Sequence, residues 1–151
     1  MIAAILRFGE HEAICYRAQS PAELAARQEA EWTPMLEWAA SRYDAKLHTS
    51  AGVAPIAQPP EALSRLEEAV AAYDDFALAA LHVMASITSS LVLALALGEE
   101  AINPAQAFQL SRLDEDYQAG LWGTDAEAAA RAQGMAREIT VATAFLAASR
   151  A

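Results

Sequence analysis

The sequence predicts an all-α fold: a single helical bundle of five to seven helices packed around a central apolar helix. Three observations carry that expectation. The 151 residues are rich in Ala and 55% hydrophobic, with six Gly and six Pro. Alternating β-branched runs of the kind that form half-buried strands occur only as fragments. Residues 76–97, FALAALHVMASITSSLVLALAL, carry no formal charge, as the helix at the centre of a bundle should.

Taken in order, the first helix is expected over 2–17, with a break near Gly9. Ser20-Pro21-Ala22-Glu23 reads as a capping box with Pro at the first helical position, starting a second helix over 21–44. Pro34 inside it demands either a break at Thr33 or a kink. Residues 47–59, LHTSAGVAPIAQP, form the long irregular connection. Helices over 60–72 and 75–97 follow; in the second, Ser86, Ser90 and Ala94 recur every four residues as a small-residue ridge. Asn103-Pro104-Ala105-Gln106 repeats the capping device ahead of a helix over 104–122. Gly123 then stops that helix, and Thr124-Asp125-Ala126-Glu127 begins the last one, over 125–149. Its core stripe is Ala128, Ala132, Met135, Ile139, Ala142 and Leu146, spaced by three and four.

Charge and cysteine count exclude several functions. Twenty Asp and Glu stand against ten Lys and Arg, a formal charge of −10, so the surface repels phosphate backbones and anionic headgroups. No nucleic-acid partner is expected. Cys15 is the sole cysteine, so no intrachain disulfide or CxxC pair can form, and a reducing compartment fits. The apolar start meets Glu10, His11 and Glu12 too early for a signal peptide. The uncharged run is long enough to span a bilayer, but acids flank both of its ends, at Asp74, Asp75, Glu99 and Glu100. A buried helix is expected there, without membrane insertion.

The usual chemistries of helical bundles have no residues to serve them. None of His11, His48 or His82 has a Glu three residues before it, as a carboxylate-bridged metal pair requires, and the three are not at metal-ligand spacing. His11 and Cys15 would be neighbours on a helix, but Ile14 and Tyr16 put the thiol in apolar surroundings. Glycine-rich phosphate loops are absent. Asp114 and Glu115 diverge by about 100° on a helix, a poor geometry for paired acid–base catalysis. No cofactor, metal or small-molecule substrate is expected, and no enzymatic activity.

SRLDEDYQAGLWG, at 111–123, stands apart. On a helix, Leu110, Leu113, Tyr117 and Leu121 fall within about 80° of arc and make a core face. Beside it Ser111, Glu115, Gln118 and Trp122 fall within about 60°, while Arg112 and Asp116 point elsewhere. A hydroxyl, a carboxylate, an amide and an indole in line resemble a protein-binding patch, an aromatic anchor with directional polar neighbours. The plainer reading of the same residues folds Trp122 back over the core edge and pairs Glu115 with Arg112.

Four segments resemble one known family. They are ICYRA at 14–18; Gln28, Trp32, Pro34 and Trp38 within the second helix; ITSSLVLALALG at 87–98; and LSRLDEDYQAGLWG at 110–123, the most specific of the four. In this order and spacing they are similar to the C-terminal helical domain of the ATP synthase assembly chaperones that act on the alpha subunit of the catalytic head. Thr33 stands where that family has Asp, and Ser89 where it has Gly. The family's N-terminal β-rich domain is expected to be absent, leaving 1–151 as one helical domain. The resemblance implies a chaperone that binds unassembled alpha and prevents its aggregation until beta arrives. It implies partner-binding roles for the acids Glu115 and Asp114 with Gln118 and Trp122, to which the helical stripe adds Ser111, and a location in the bacterial cytoplasm, or in the mitochondrial matrix of a eukaryote. The alternative is a generic helical interaction module with a different partner.

Overall fold

Eight α-helices form among the described residues: α1 (Ile2–Glu10), α2 (Ala22–Tyr43), α3 (Pro60–Ala71), α4 (Asp75–Thr88), α5 (Leu91–Gly98), α6 (Pro104–Ser111), α7 (Leu113–Trp122) and α8 (Ala126–Ser149). The computed structural model describes residues 1–52 and 54–150, so Val53 of the expected connection and Ala151 of the expected domain lie outside it. The all-α class holds. The helix count exceeds five to seven because the helices expected over 75–97 and 104–122 are each divided in two.

The first division explains how the apolar run is used. Ser89 takes a left-handed conformation, φ 55°, and ends α4. Ser90 then caps α5, its Oγ accepting from the Leu93 amide at 3.0 Å. A second cap comes from far away in sequence: the Val92 amide donates to Glu12 Oε1 at 2.8 Å, and the Ala13 amide donates to the Ser89 carbonyl at 3.1 Å. Two of the backbone groups freed by the break, the Val92 amide and the Ser89 carbonyl, are thus partnered by the turn after α1. The Ser86, Ser90, Ala94 ridge does not form, because Ser90 is a cap and Ser86 faces solvent. No described helix is long and apolar enough to cross a membrane.

α5 is the centre of the molecule. All of Leu91 to Leu97 is buried, and its sides serve two cores. Leu91, Ala94, Leu95 and Leu97 pack with α1, α3, α4 and α8; Val92, Leu93 and Ala96 pack with Ile14, with Trp32, Met35 and Ala39 of α2, and with Leu113 of α7. α1 approaches α5 closely at Gly9, where a Cβ would come within 3.0 Å of Leu91 Cδ2. In the last helix Ile139, Ala142 and Leu146 are buried as expected, whereas Ala128, Ala132 and Met135 are only partly covered.

Local signals fared unequally. Asn103 and Gln106 make the full reciprocal box, at 2.8 and 2.9 Å. The other two starts shift by one residue. Asp125 rather than Thr124 caps α8, accepting from the Ala128 amide at 2.7 Å, and Pro21 rather than Ser20 is the N-cap of α2, without a side-chain bond. α2 runs through Pro34 without breaking at Thr33. Pro34 is exposed, so the carbonyl it leaves without a donor can meet water. The first helix stops at Glu10; a 3-10 turn over Ala13–Cys15 follows, then β1 (Tyr16–Arg17), which pairs in parallel with β2 (Ser50–Ala51). Within the irregular connection Gln58 holds both the amide and the carbonyl of His48, at 2.8 and 3.1 Å.

Candidate functional site

The second division sets α7 apart from the rest. The helix beginning at Pro104 breaks at Arg112, whose amide reaches back to the carbonyls of Phe108 and Gln109 at 3.1 and 3.3 Å. Two side chains of α2 hold the break in place. Trp32, with 4% of its surface exposed, donates from Nε1 to the Leu110 carbonyl at 2.8 Å. Gln28, wholly buried, donates from Nε2 to Asp114 Oδ1 at 2.6 Å and accepts the Ala18 amide at 2.7 Å. Arg17 lies over the Trp32 ring, 5.7 Å from its centroid, and donates to the Ile14 carbonyl at 2.8 Å, which closes the same corner. α7 is therefore pinned at its N-terminal end and extends away from it.

The predicted core face of α7 is used only in part. Leu113 is 3% exposed, but Leu110 and Tyr117 are half-buried and Leu121 is 56% exposed. Leu121, expected on the core face, is at the surface instead. A Cβ built at Gly120 or Gly123 would meet nothing, which agrees with a free helix end.

The other stripe faces outward. Trp122 is 81% exposed, and Glu115 and Gln118 are exposed with it. Ser111 is half-buried, and its hydroxyl donates to the Phe108 carbonyl at 2.8 Å. Asp114 is exposed but gives one oxygen to Gln28, so part of its capacity is structural. The pairing of Glu115 with Arg112 does not form; Arg112 lies over the Phe108 ring at 5.5 Å. Asp114, Glu115 and Asp116 form no ion pair with any Lys or Arg among the described residues. Trp122 does not fold back onto the core.

Sequence reasoning missed a cleft of about 340 Å³ beside this stripe. Ser111, Arg112, Asp114 and Glu115 stand on one side of it, the C-terminal turn of α4 from Ser86 to Ser89 on another, and Ile14, Trp32 and Met135 are among the rest of the lining. It exists because of the two helix breaks, neither of which local sequence signals revealed. A second exposed surface lies between α4 and α8, a shallow apolar groove of about 640 Å³ where Val83, Val141 and Phe145 are exposed.

Two buried titratable groups lie in the turn after α1. Burial, with the Glu12 carboxylate nearby, pushes the Cys15 thiol up to about 12, so it holds its proton at neutral pH and is no nucleophile. Burial also pushes Glu12 up to about 7, against the opposing hydrogen bonds from Ser90 and Val92. No group of three or more His, Cys, Asp or Glu side chains gathers to hold a metal ion among the described residues.

Comparison with known proteins places the fold beside solved structures. The sequence model of the ATP12 chaperone protein family matches residues 1–40. The fold superposes on the crystal structure of Atp12 from Paracoccus denitrificans with a TM-score of 0.93 and 36% identity, over 96% of this chain and 62% of that one. A candidate chaperone from Agrobacterium tumefaciens matches with a TM-score of 0.89 and 38% identity, over 96% of this chain and 54% of that one. The chain thus spans a little over half the length of these relatives. Nearly all of this chain thus shares its fold, at more than a third identity, with Atp12 of Paracoccus denitrificans, and its first 40 residues carry the sequence pattern of the ATP12 chaperone protein family.

Proposed function

We propose that this chain is an assembly chaperone that binds the unassembled alpha subunit of the ATP synthase catalytic head and keeps it from aggregating until the beta subunit takes its place. The observation that supports this most is the free end of α7. A Trp 81% exposed and a Leu 56% exposed follow three carboxylates that pair with no cation of the described chain. A protein that held Trp122 only for its own stability would bury it, since an indole left in water forgoes roughly 2 to 3 kcal/mol of burial. Exposed on a helix pinned at its other end, it is an anchor presented to another polypeptide.

A patch of this kind suits temporary holding. The aromatic anchor supplies apolar contact, the acids and Gln118 supply direction, and the whole is small enough to be displaced by a larger permanent partner. In this reading Glu115, Gln118 and Trp122 touch the client. Asp114 divides its oxygens between client and Gln28, and Ser111 lines the adjoining cleft. Neither a cofactor nor turnover enters, and the compartment is the one where alpha is assembled, the bacterial cytoplasm or the mitochondrial matrix.

The test is capture of purified alpha and beta on the immobilised chain, together with light scattering of alpha during dilution from denaturant. Retention of alpha but not beta, with scattering suppressed at near-equimolar chain, is the expected result. Retention of neither would transfer the chain to the alternative, a helical interaction module for a different partner.

A further inference from the structure

We infer that the cleft beside α7 is a receptor for a basic side chain of the bound polypeptide, arginine before lysine, and that Leu121 and Trp122 take an apolar side chain about three residues further along the same segment. The inference rests on the reading of α7 as a docking helix and adds the chemistry of what docks.

Charge is the first argument. Asp114 and Glu115 stand at the cleft, Asp116 follows them on α7, and none is neutralised by a cation of the described chain. Asp114 meets only the neutral amide of Gln28, which leaves its second oxygen available. Arg112 also lines the cleft, but its guanidinium rests over the Phe108 ring. One cation against two carboxylates leaves the lining net negative, on a chain whose formal charge is −10.

The second argument is independent of the acids. Ser86 to Ser89, the last turn of α4 and its left-handed cap, line the same cleft. The last turn of a helix carries the negative end of its dipole and carbonyls without intrahelical donors, and cations settle there. The positive end of α7 lies at the cleft too, but it carries its own three acids in the first turn. Two negative features therefore converge from helices far apart in sequence.

Shape decides between a free ion and a side chain. About 340 Å³ exceeds what a hydrated metal needs, and part of the wall is the apolar surface of Ile14, Ile87 and Met135, fit for a methylene stem. A guanidinium offers five donors in a planar fork, suited to paired carboxylate oxygens and serine hydroxyls, and so is favoured over an ammonium. From Glu115 to Trp122 along α7 is about 10 Å at 1.5 Å per residue. An extended segment covers that in about three residues, so the recognised pattern is basic-x-x-apolar, with Gln118 between the two ends.

The test titrates an acetylated Arg-Ala-Ala-Phe amide into the isotope-labelled full chain and follows amide and indole resonances. The expected result is shifts at Ser89, Ser111, Glu115 and the Trp122 indole. Affinity should fall at least tenfold when citrulline, of the same shape but uncharged, replaces arginine, and fall likewise in Glu115→Gln. Equal affinity of the citrulline peptide, shifts confined to the α4–α8 groove, or no shifts at millimolar peptide would each overturn the inference. Its failure is separable from that of the partner assignment. Alpha captured equally by the wild type and Glu115→Gln, without salt dependence, sinks the cleft chemistry and keeps the partner. Alpha not captured, with the arginine peptide still bound as described, does the reverse.

Discussion

Glu12→Gln should change how stability depends on pH, and the size of the change follows from the site. The carboxyl is wholly buried, Oε1 accepts the Val92 amide at 2.8 Å, and Oε2 has no partner. Desolvation outweighs the hydrogen bonds to Ser90 and Val92 and raises the group from 4.5 to about 7, with the Cys15 thiol, protonated at neutral pH, as its titratable neighbour. A folded-state value above the unfolded one means that the native protein holds the proton more tightly. Its stabilisation is complete below about pH 4.5 and is lost as pH rises through about 7. At 1.36 kcal/mol per unit this is about 3 kcal/mol, taken from a protein of ordinary marginal stability. Gln keeps an acceptor for Val92 and does not titrate. Urea unfolding of both proteins at pH 5 and pH 8.5 should show the wild type losing about 2.5 kcal/mol relative to the variant across that interval, since part of the effect already lies below pH 5. Because the comparison is between pH values, any fixed cost of the new amide cancels. Parallel pH profiles would refute the claim that Glu12 is buried and charged above neutrality at the α5 cap.

Three further outcomes test the frame around the site. Gln28→Ala removes the bridge between the Ala18 amide and Asp114 and should cost about 2 to 4 kcal/mol in urea unfolding, whereas Asp114→Asn, which keeps an acceptor for Gln28, should cost under about 1 kcal/mol. Leu95→Ala, in the fully buried α5, should cost about 2 to 5 kcal/mol by the same assay. Trp122→Ala should leave stability within about 0.5 kcal/mol, since the indole is 81% exposed, yet weaken capture of alpha at least tenfold in a binding titration.

The parts of the fold legible in the sequence are those set by neighbours within a few residues. Asn103 and Gln106 lie one turn apart and make their box whatever surrounds them. The 3.6-residue period of α8 put Ile139, Ala142 and Leu146 inward correctly. What escaped notice depends on distant residues. The break at Ser89 is stabilised by Glu12, 80 positions from Val92, and the break at Arg112 by Trp32 and Gln28, which reach Leu110 and Asp114 across 78 and 86 positions. Without those partners an uninterrupted helix is the better local solution at both places. The α7 stripe shows the same limit. Angular position gave the faces of the helix, but only the presence or absence of a neighbour decides whether Leu121 is core or surface. The one hint of Glu12's role was an acid set just before the apolar AIC, and burial alone turns it into a cap.

The central claim, that α7 rather than another face holds the client, is tested most directly by comparing alpha capture by two variants, each altered in charge or polarity at one exposed residue. Glu115→Lys changes the α7 stripe; Phe145→Gln changes the α4–α8 groove, at a residue 49% exposed. Binding titrations of purified alpha, with circular dichroism to verify that both variants stay folded, should show Glu115→Lys losing at least tenfold in affinity and Phe145→Gln binding as the wild type does. Loss confined to Phe145→Gln, with Glu115→Lys binding undiminished, would contradict it.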